Sequence, residues 1–209
     1  MLKALPAVVS ALPDLMLGAT FLITWVSPYA LREKMVAYLM LLMILEFIIV
    51  HSSAFMGRVM VGPLQRGRKS VTLLGLGGLY TLFVGGFALA FKAWWPLVTF
   101  WGLTLNRLLG VLLGQPPSGE EKTFVQYGWA ASVMFYVLFV FATTLLPIPA
   151  LGITAEVVRA QDLPGSGLWI DQPQRVVAFG FLYFTATGLS ELFGQRWLAK
   201  GRVGGSGAS

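Results

Sequence analysis

Six runs of about twenty predominantly apolar residues organise this chain, at about 8–28, 36–57, 71–91, 95–114, 124–147 and 175–194. Lipid gives backbone N–H and C=O groups no partner, so a run of this length is stable in hydrocarbon only as a helix that bonds its own backbone. The chain therefore reads as an all-α integral membrane protein: a bundle of six transmembrane helices forming one domain over 1–203, then a Gly/Ser-rich flexible tail over 204–209. Composition agrees. Of 209 residues 56% are hydrophobic and 11% charged, where a soluble domain carries roughly a quarter charged, so a water-soluble globule is excluded. The first span holds Pro13, Asp14 and Gly18, too punctuated for a signal-peptide core, and reads as a mature helix.

Lys and Arg set the expected orientation. The side holding the N-terminus carries Lys3, Arg58, Arg66, Arg68, Lys69, Lys122, Arg196, Lys200 and Arg202, against Arg32, Lys34, Lys92, Arg159 and Arg175 opposite. Both termini are expected to be cytoplasmic, in a bacterial-type inner or plasma membrane. The same basic residues are spread over loops without an aromatic platform, so the net charge of +6 does not point to nucleic acid.

Between the spans, Lys92-Ala-Trp-Trp-Pro96 is short enough to force spans three and four into an antiparallel hairpin with Trp94 and Trp95 at the interface. Ser118 and Glu121 stand at capping-box spacing before span five, and Pro147 and Pro149 end it. The outer loop 150–173 is the one sizeable extramembrane segment, with a short helix expected over Thr154 to Gln161, a turn at Leu163 to Gly167 and an interfacial dip at Leu168 to Ile170. Gly102, Asn106, Gly110 and Gly114 recur every four residues in span four, as Gly77, Thr81 and Gly85 do in span three. That rhythm predicts a tightly packed hairpin. Gly180 and Gly188 in span six, and Ser10, Asp14 and Gly18 in span one, form weaker stripes.

Ionisable groups inside a span cost about 2.5–3.5 kcal/mol each at mid-helix, so each needs a partner or water. This chain has Asp14, Glu46, His51, Arg107 and Glu191, with Asn106 beside Arg107. Counted along each span they crowd the cytoplasmic half, which makes them the candidate substrate- or ion-binding set. Arg107 is expected to pair with Glu46 or Asp14, since its planar fork suits a buried carboxylate. The plainer alternative is one Arg–Glu bridge fixing helix register, with Asp14 and Glu191 reaching the interface. Glu46 and His51 are five positions apart, about 140° around a helix, and so face different seams. Ser52 and Ser53 lack the strained turn of a serine nucleophile. The run Gly75-Leu-Gly-Gly78 lies inside a span and cannot cradle a dinucleotide. With no Cys and one His, thiolate and paired-His metal sites are excluded within one chain; no cofactor is assigned.

Three function classes stay open. A carrier or channel would use the polar cluster for a proton, cation or small solute. A non-catalytic subunit would dock into a larger membrane complex through its small-residue stripes. A membrane enzyme would act on a lipid-like substrate. Expected partners are the bilayer and either further copies of this chain or other membrane proteins.

Overall fold

The computed structural model describes the backbone of residues 5–113 and 119–205, and the side chains of 7–113 and 126–193. Among the described residues the regular structure is eight helices: α1 (Leu5–Val26), α2 (Met35–Val61), α3 (Arg66–Ala90), α4 (Trp95–Leu113), α5 (Gly119–Leu145), α6 (Ala155–Gln161), α7 (Leu168–Asp171) and α8 (Gln174–Gly205). Six of these, all but α6 and α7, are long and apolar enough to cross a membrane. The outside of the bundle is as apolar as its inside: Val71, Leu82 and Val98 are each more than 70% exposed. Such a surface is stable only against acyl chains.

Helix ends differ from the sequence expectation by a few residues, because flanking polar residues continue a helical hydrogen-bond ladder at no cost once it has left hydrocarbon. So α2 runs on to Val61 and α3 begins at Arg66. Helix α8 continues through Gly205, so the first two residues of the expected flexible tail are helical. Helix α5 starts directly after Ser118; the capping side chains themselves lie outside the described residues. The 150–173 loop follows its local sequence signals: Thr154 caps α6 by accepting from the Val157 N–H, and α7 forms over Leu168–Asp171.

Helix α2 passes from one core to another along its length. Its first half, with Leu39, Met40 and Met43, packs among Phe21 of α1, Tyr136 of α5, Val157 of α6, and Val177, Phe179 and Tyr183 of α8. Its second half, with Leu45, Ile48 and Met56, packs among Leu73, Tyr80 and Val84 of α3 and Phe100 of α4. Glu46 lies at the handover.

The most extensive helix pairing is α1 with α8, and glycines make its seam. A Cβ added at Gly180 would overlap the ring of Phe21, one at Gly188 would come within 2.8 Å of Leu15 Cγ, and one at Gly18 within 2.6 Å of Thr185 Oγ1. Small residues let two backbones approach where lipid supplies no hydrophobic drive. The α3–α4 hairpin forms as expected, but its stripes do not make it. Gly77 meets Thr104 and Trp101, whereas Gly78, Gly85, Gly86 and Gly102 have open space where a side chain would stand, and Gly102, Asn106 and Gly110 lie on the exposed face. Packing within the hairpin goes instead through larger side chains such as Tyr80, Val84, Phe100 and Trp101.

Arg175 has a structural task that its place in the sequence does not announce. Its Nη1 donates to the carbonyl oxygens of Thr143 (2.8 Å), Thr144 (3.1 Å) and Leu146 (2.8 Å), and its Nε to Gln172 Oε1 (2.7 Å). These carbonyls at the end of α5 have no intrahelical donor, and a guanidinium both satisfies them and complements the helix dipole. Arg175→Ala is expected to lower stability by about 1.5–3 kcal/mol, the range for bonds to a charged donor; Arg175→Lys recovers less than half. Thermal unfolding in detergent measures both, and a shift below that of an exposed control such as Arg159→Ala would refute the capping role.

Candidate functional site

The structure puts five of the six candidate side chains in three places and leaves Asn106 outside them. Asp14, Glu46 and Glu191 come together from α1, α2 and α8. Asp14 lies within electrostatic reach of both other carboxylates. Glu46 Oε1 accepts from the Tyr183 hydroxyl at 2.7 Å, and Ser132 of α5, whose own hydroxyl donates to the Gly128 carbonyl at 3.1 Å, stands near that hydroxyl. At the other end of the group, Ser10 Oγ donates to Glu191 Oε2 at 2.6 Å. Ser10 stands one turn before Asp14 on the same face of α1. All three carboxylates are partly buried.

The group is graded in depth. Counted along the apolar runs of the sequence at 1.5 Å per residue, Glu191 is about 5 Å from the end of 175–194 and Asp14 about 9 Å inside 8–28. Glu46 lies about 16 Å from either end of α2 by the same measure, allowing for its projecting turn after Gly57. Beyond Glu46 aromatic rings pack closely. Tyr183 meets Tyr136 edge-on with centroids 5.5 Å apart and Phe184 at 5.0 Å, and Tyr136 meets Phe179 at 4.7 Å. The Tyr136 hydroxyl is itself tied to the Met43 carbonyl at 3.1 Å. The result is a polar series from Ser10 and Glu191 through Asp14 to Glu46, bordered there by an aromatic cluster.

Arg107 is elsewhere. Its guanidinium donates to Ser53 Oγ at 2.5 Å and lies 3.2 Å from Met56 Sδ; Glu46 and Asp14 are not among its contacts, which corrects the expected ion pair. The cause is height rather than angle. Ser53 shares a helical face with Glu46 but stands seven residues, about 10 Å, further along α2, where α4 rather than α8 packs. The Arg–Glu bridge of the plainer alternative is absent from the described contacts for the same reason.

His51 occupies a third place. Its Nδ1 is 2.7 Å from the Tyr80 hydroxyl, and Phe47 and Phe55 flank its ring at 5.8 and 5.3 Å. It faces outward, on a different seam from Glu46, as the 140° offset predicts. Asn106 is exposed on α4 and joins none of these contacts. Ser52 is fully buried with its hydroxyl on the Ile49 carbonyl (3.1 Å), and Ser53 donates to the same carbonyl. Ser52, Ser53 and His51 thus share no opening, and the hydrolase constellation does not assemble among the described residues.

Sequence reasoning misses Tyr183, Tyr136, Ser10 and Ser132. Tyr183 has a usable signal, because a tyrosine in mid-span must find a partner for its hydroxyl. No protein-family model, curated protein or solved structure matches this chain.

Proposed function

We propose that this protein is a small carrier or channel that binds a proton or small cation at Asp14, Glu46 and Glu191. The observation that carries the reading is the gathering of three carboxylates inside the spans with hydroxyls, rather than a Lys or Arg, as their described contacts. Three negative charges in a low-dielectric layer repel one another and lose hydration, so the group is stable only with positive charge taken up. A proton or a cation entering along Ser10 and Glu191 supplies it. The Lys and Arg distribution supports placing that entrance, with both termini, on the cytoplasmic side of an inner or plasma membrane.

Purified protein in vesicles tests this with a pH- or cation-sensitive dye. Flux driven by an imposed gradient is expected for the wild type and lost in Glu46→Gln and Asp14→Asn; full flux in both variants refutes the site.

One observation favours a second reading, a helical subunit of a larger membrane assembly. Gly102 and Asn106 form an exposed small-residue face with a polar amide, which Gly110 continues beside Met60 of α2. Acyl chains cannot satisfy that amide, and a neighbouring helix can. On this reading Gly102→Leu leaves the isolated protein stable but releases co-purifying partner or sister chains in mild detergent. An unchanged complement of bound chains counts against it.

A further inference from the structure

A cavity of about 430 Å³ opens at the end of the bundle opposite the Arg58–Lys69 loop, and nothing in the carboxylate site uses it. It lies where α2 begins, the α3–α4 hairpin turns and α6 ends. Lys34, Lys92 and Asp162 line it at the level where these helices leave the apolar layer. Tyr38 and Leu41 continue the wall inward; Leu41 is seven residues beyond Lys34, about 10 Å deeper along α2. Arg32 and Glu33 stand beside this rim without lining it, the Arg32 guanidinium carbon 5.0 Å from the centre of the Tyr38 ring.

The cavity is built rather than incidental. Gln161, 2% exposed, fastens α6 to the start of α2 by accepting from the Ala37 N–H at 3.3 Å and donating to the Glu33 carbonyl at 3.0 Å. Lys92 and Asp162, both with φ of 51°, hold the left-handed backbone that favours glycine. At Lys92 this is the position after α3 where the chain reverses, with Ala93 N–H bonded to the Ala88 carbonyl (2.8 Å) and Lys92 N–H to the Leu89 carbonyl (3.1 Å). Glycine is the usual residue there. A lysine in its place adds a cation to the cavity wall at a conformational cost.

Charge and shape together select a ligand class. Two lysines against one aspartate disfavour a cation and favour an anion, while Tyr38 and Leu41 form an apolar wall below the charged rim. A volume of this size takes a headgroup and its first carbons, not a whole two-chain lipid. We propose that this cavity binds the head of an anionic amphiphile, a phosphate on an apolar stem, with Lys34 and Lys92 on the phosphate and the stem against Tyr38 and Leu41. The source it commits to is a membrane phospholipid rather than free phosphate.

Native mass spectrometry of the full chain released from mixed phosphatidylglycerol and phosphatidylcholine nanodiscs tests this. Wild type is expected to retain phosphatidylglycerol at least fivefold over phosphatidylcholine, Lys34→Gln/Lys92→Gly to lose that preference, and millimolar inorganic phosphate not to displace the lipid. Lipid on the Arg58–Lys69 loop is common to all variants and cancels. Lys92→Gly alone separates binding from folding, because glycine relieves the left-handed backbone. Its midpoint without anionic lipid should stay level or rise, while the upward shift on adding phosphatidylglycerol shrinks. Leu41→Trp, which fills the inner wall and keeps both lysines, should also weaken retention. Equal retention by the double variant, displacement by free phosphate, or full retention in Leu41→Trp overturns the proposal.

Discussion

Gly180→Leu is expected to destabilise the protein by about 3 kcal/mol or more, while Gly102→Leu changes stability by less than about 0.5 kcal/mol. Both glycines sit inside membrane helices, and the span-four stripe has the stronger small-residue rhythm. The difference lies in what each faces. A side chain at Gly180 must enter the ring of Phe21, which is fully buried and cannot swing aside, and Gly188 beside Leu15 and Ala11 fixes the same helix spacing one turn pair further on. Relief requires parting α1 from α8, which also pulls Ser10 from Glu191. At Gly102 nothing stands within 4 Å of the point a Cβ would occupy. Thermal midpoints of the purified variants decide the matter, and similar losses at the two positions would refute this account of the α1–α8 seam.

Glu46→Gln is the second large effect. Removing the charge from the deepest carboxylate while keeping its shape and its bond from Tyr183 should cut proton or cation flux at least about tenfold, equivalent to roughly 1.4 kcal/mol at the barrier. The fold should hold, because glutamine's carbonyl still accepts from the tyrosine hydroxyl. Tyr183→Phe makes a graded comparison: it leaves the carboxylate ionisable but unanchored, and flux should fall less than in Glu46→Gln. Arg107→Ala should leave flux within twofold, since Arg107 rests on Ser53 and Met56 and not on the carboxylates. A loss in Arg107→Ala as large as in Glu46→Gln would join the two places that the geometry separates.

The six spans are legible because hydrocarbon imposes a one-dimensional rule on length and polarity, and the helix in the 150–173 loop because Thr154 and the glycine turn are local signals. The carboxylate group is half legible. Counting along each helix gives the relative depths of Asp14, Glu46 and Glu191, and counting around α2 separates Glu46 from His51. Which helix stands beside α2 at each height is a tertiary fact, and it sends Arg107 to Ser53 although Glu46 shares that face. The glycine stripes mislead for a related reason: rhythm shows that a helix can be approached closely, not which helix approaches. Arg175 looks like a loop charge in the sequence because its three carbonyl partners belong to the end of another helix.

One-sided water access to the carboxylate group tests the central claim most directly, and the absence of native cysteine makes it clean. Asp14→Cys and Asn106→Cys place thiols at similar depth, one beside Glu46 and Glu191 and one on the lipid-facing side of α4. A thiol surrounded by acyl chains stays protonated and inert, whereas one in a hydrated polar path reacts. In oriented vesicles a membrane-impermeant thiol reagent should label position 14 from the face where α1 begins and leave position 106 unlabelled from either face. Equal labelling at the two positions, or none at position 14, would contradict the account.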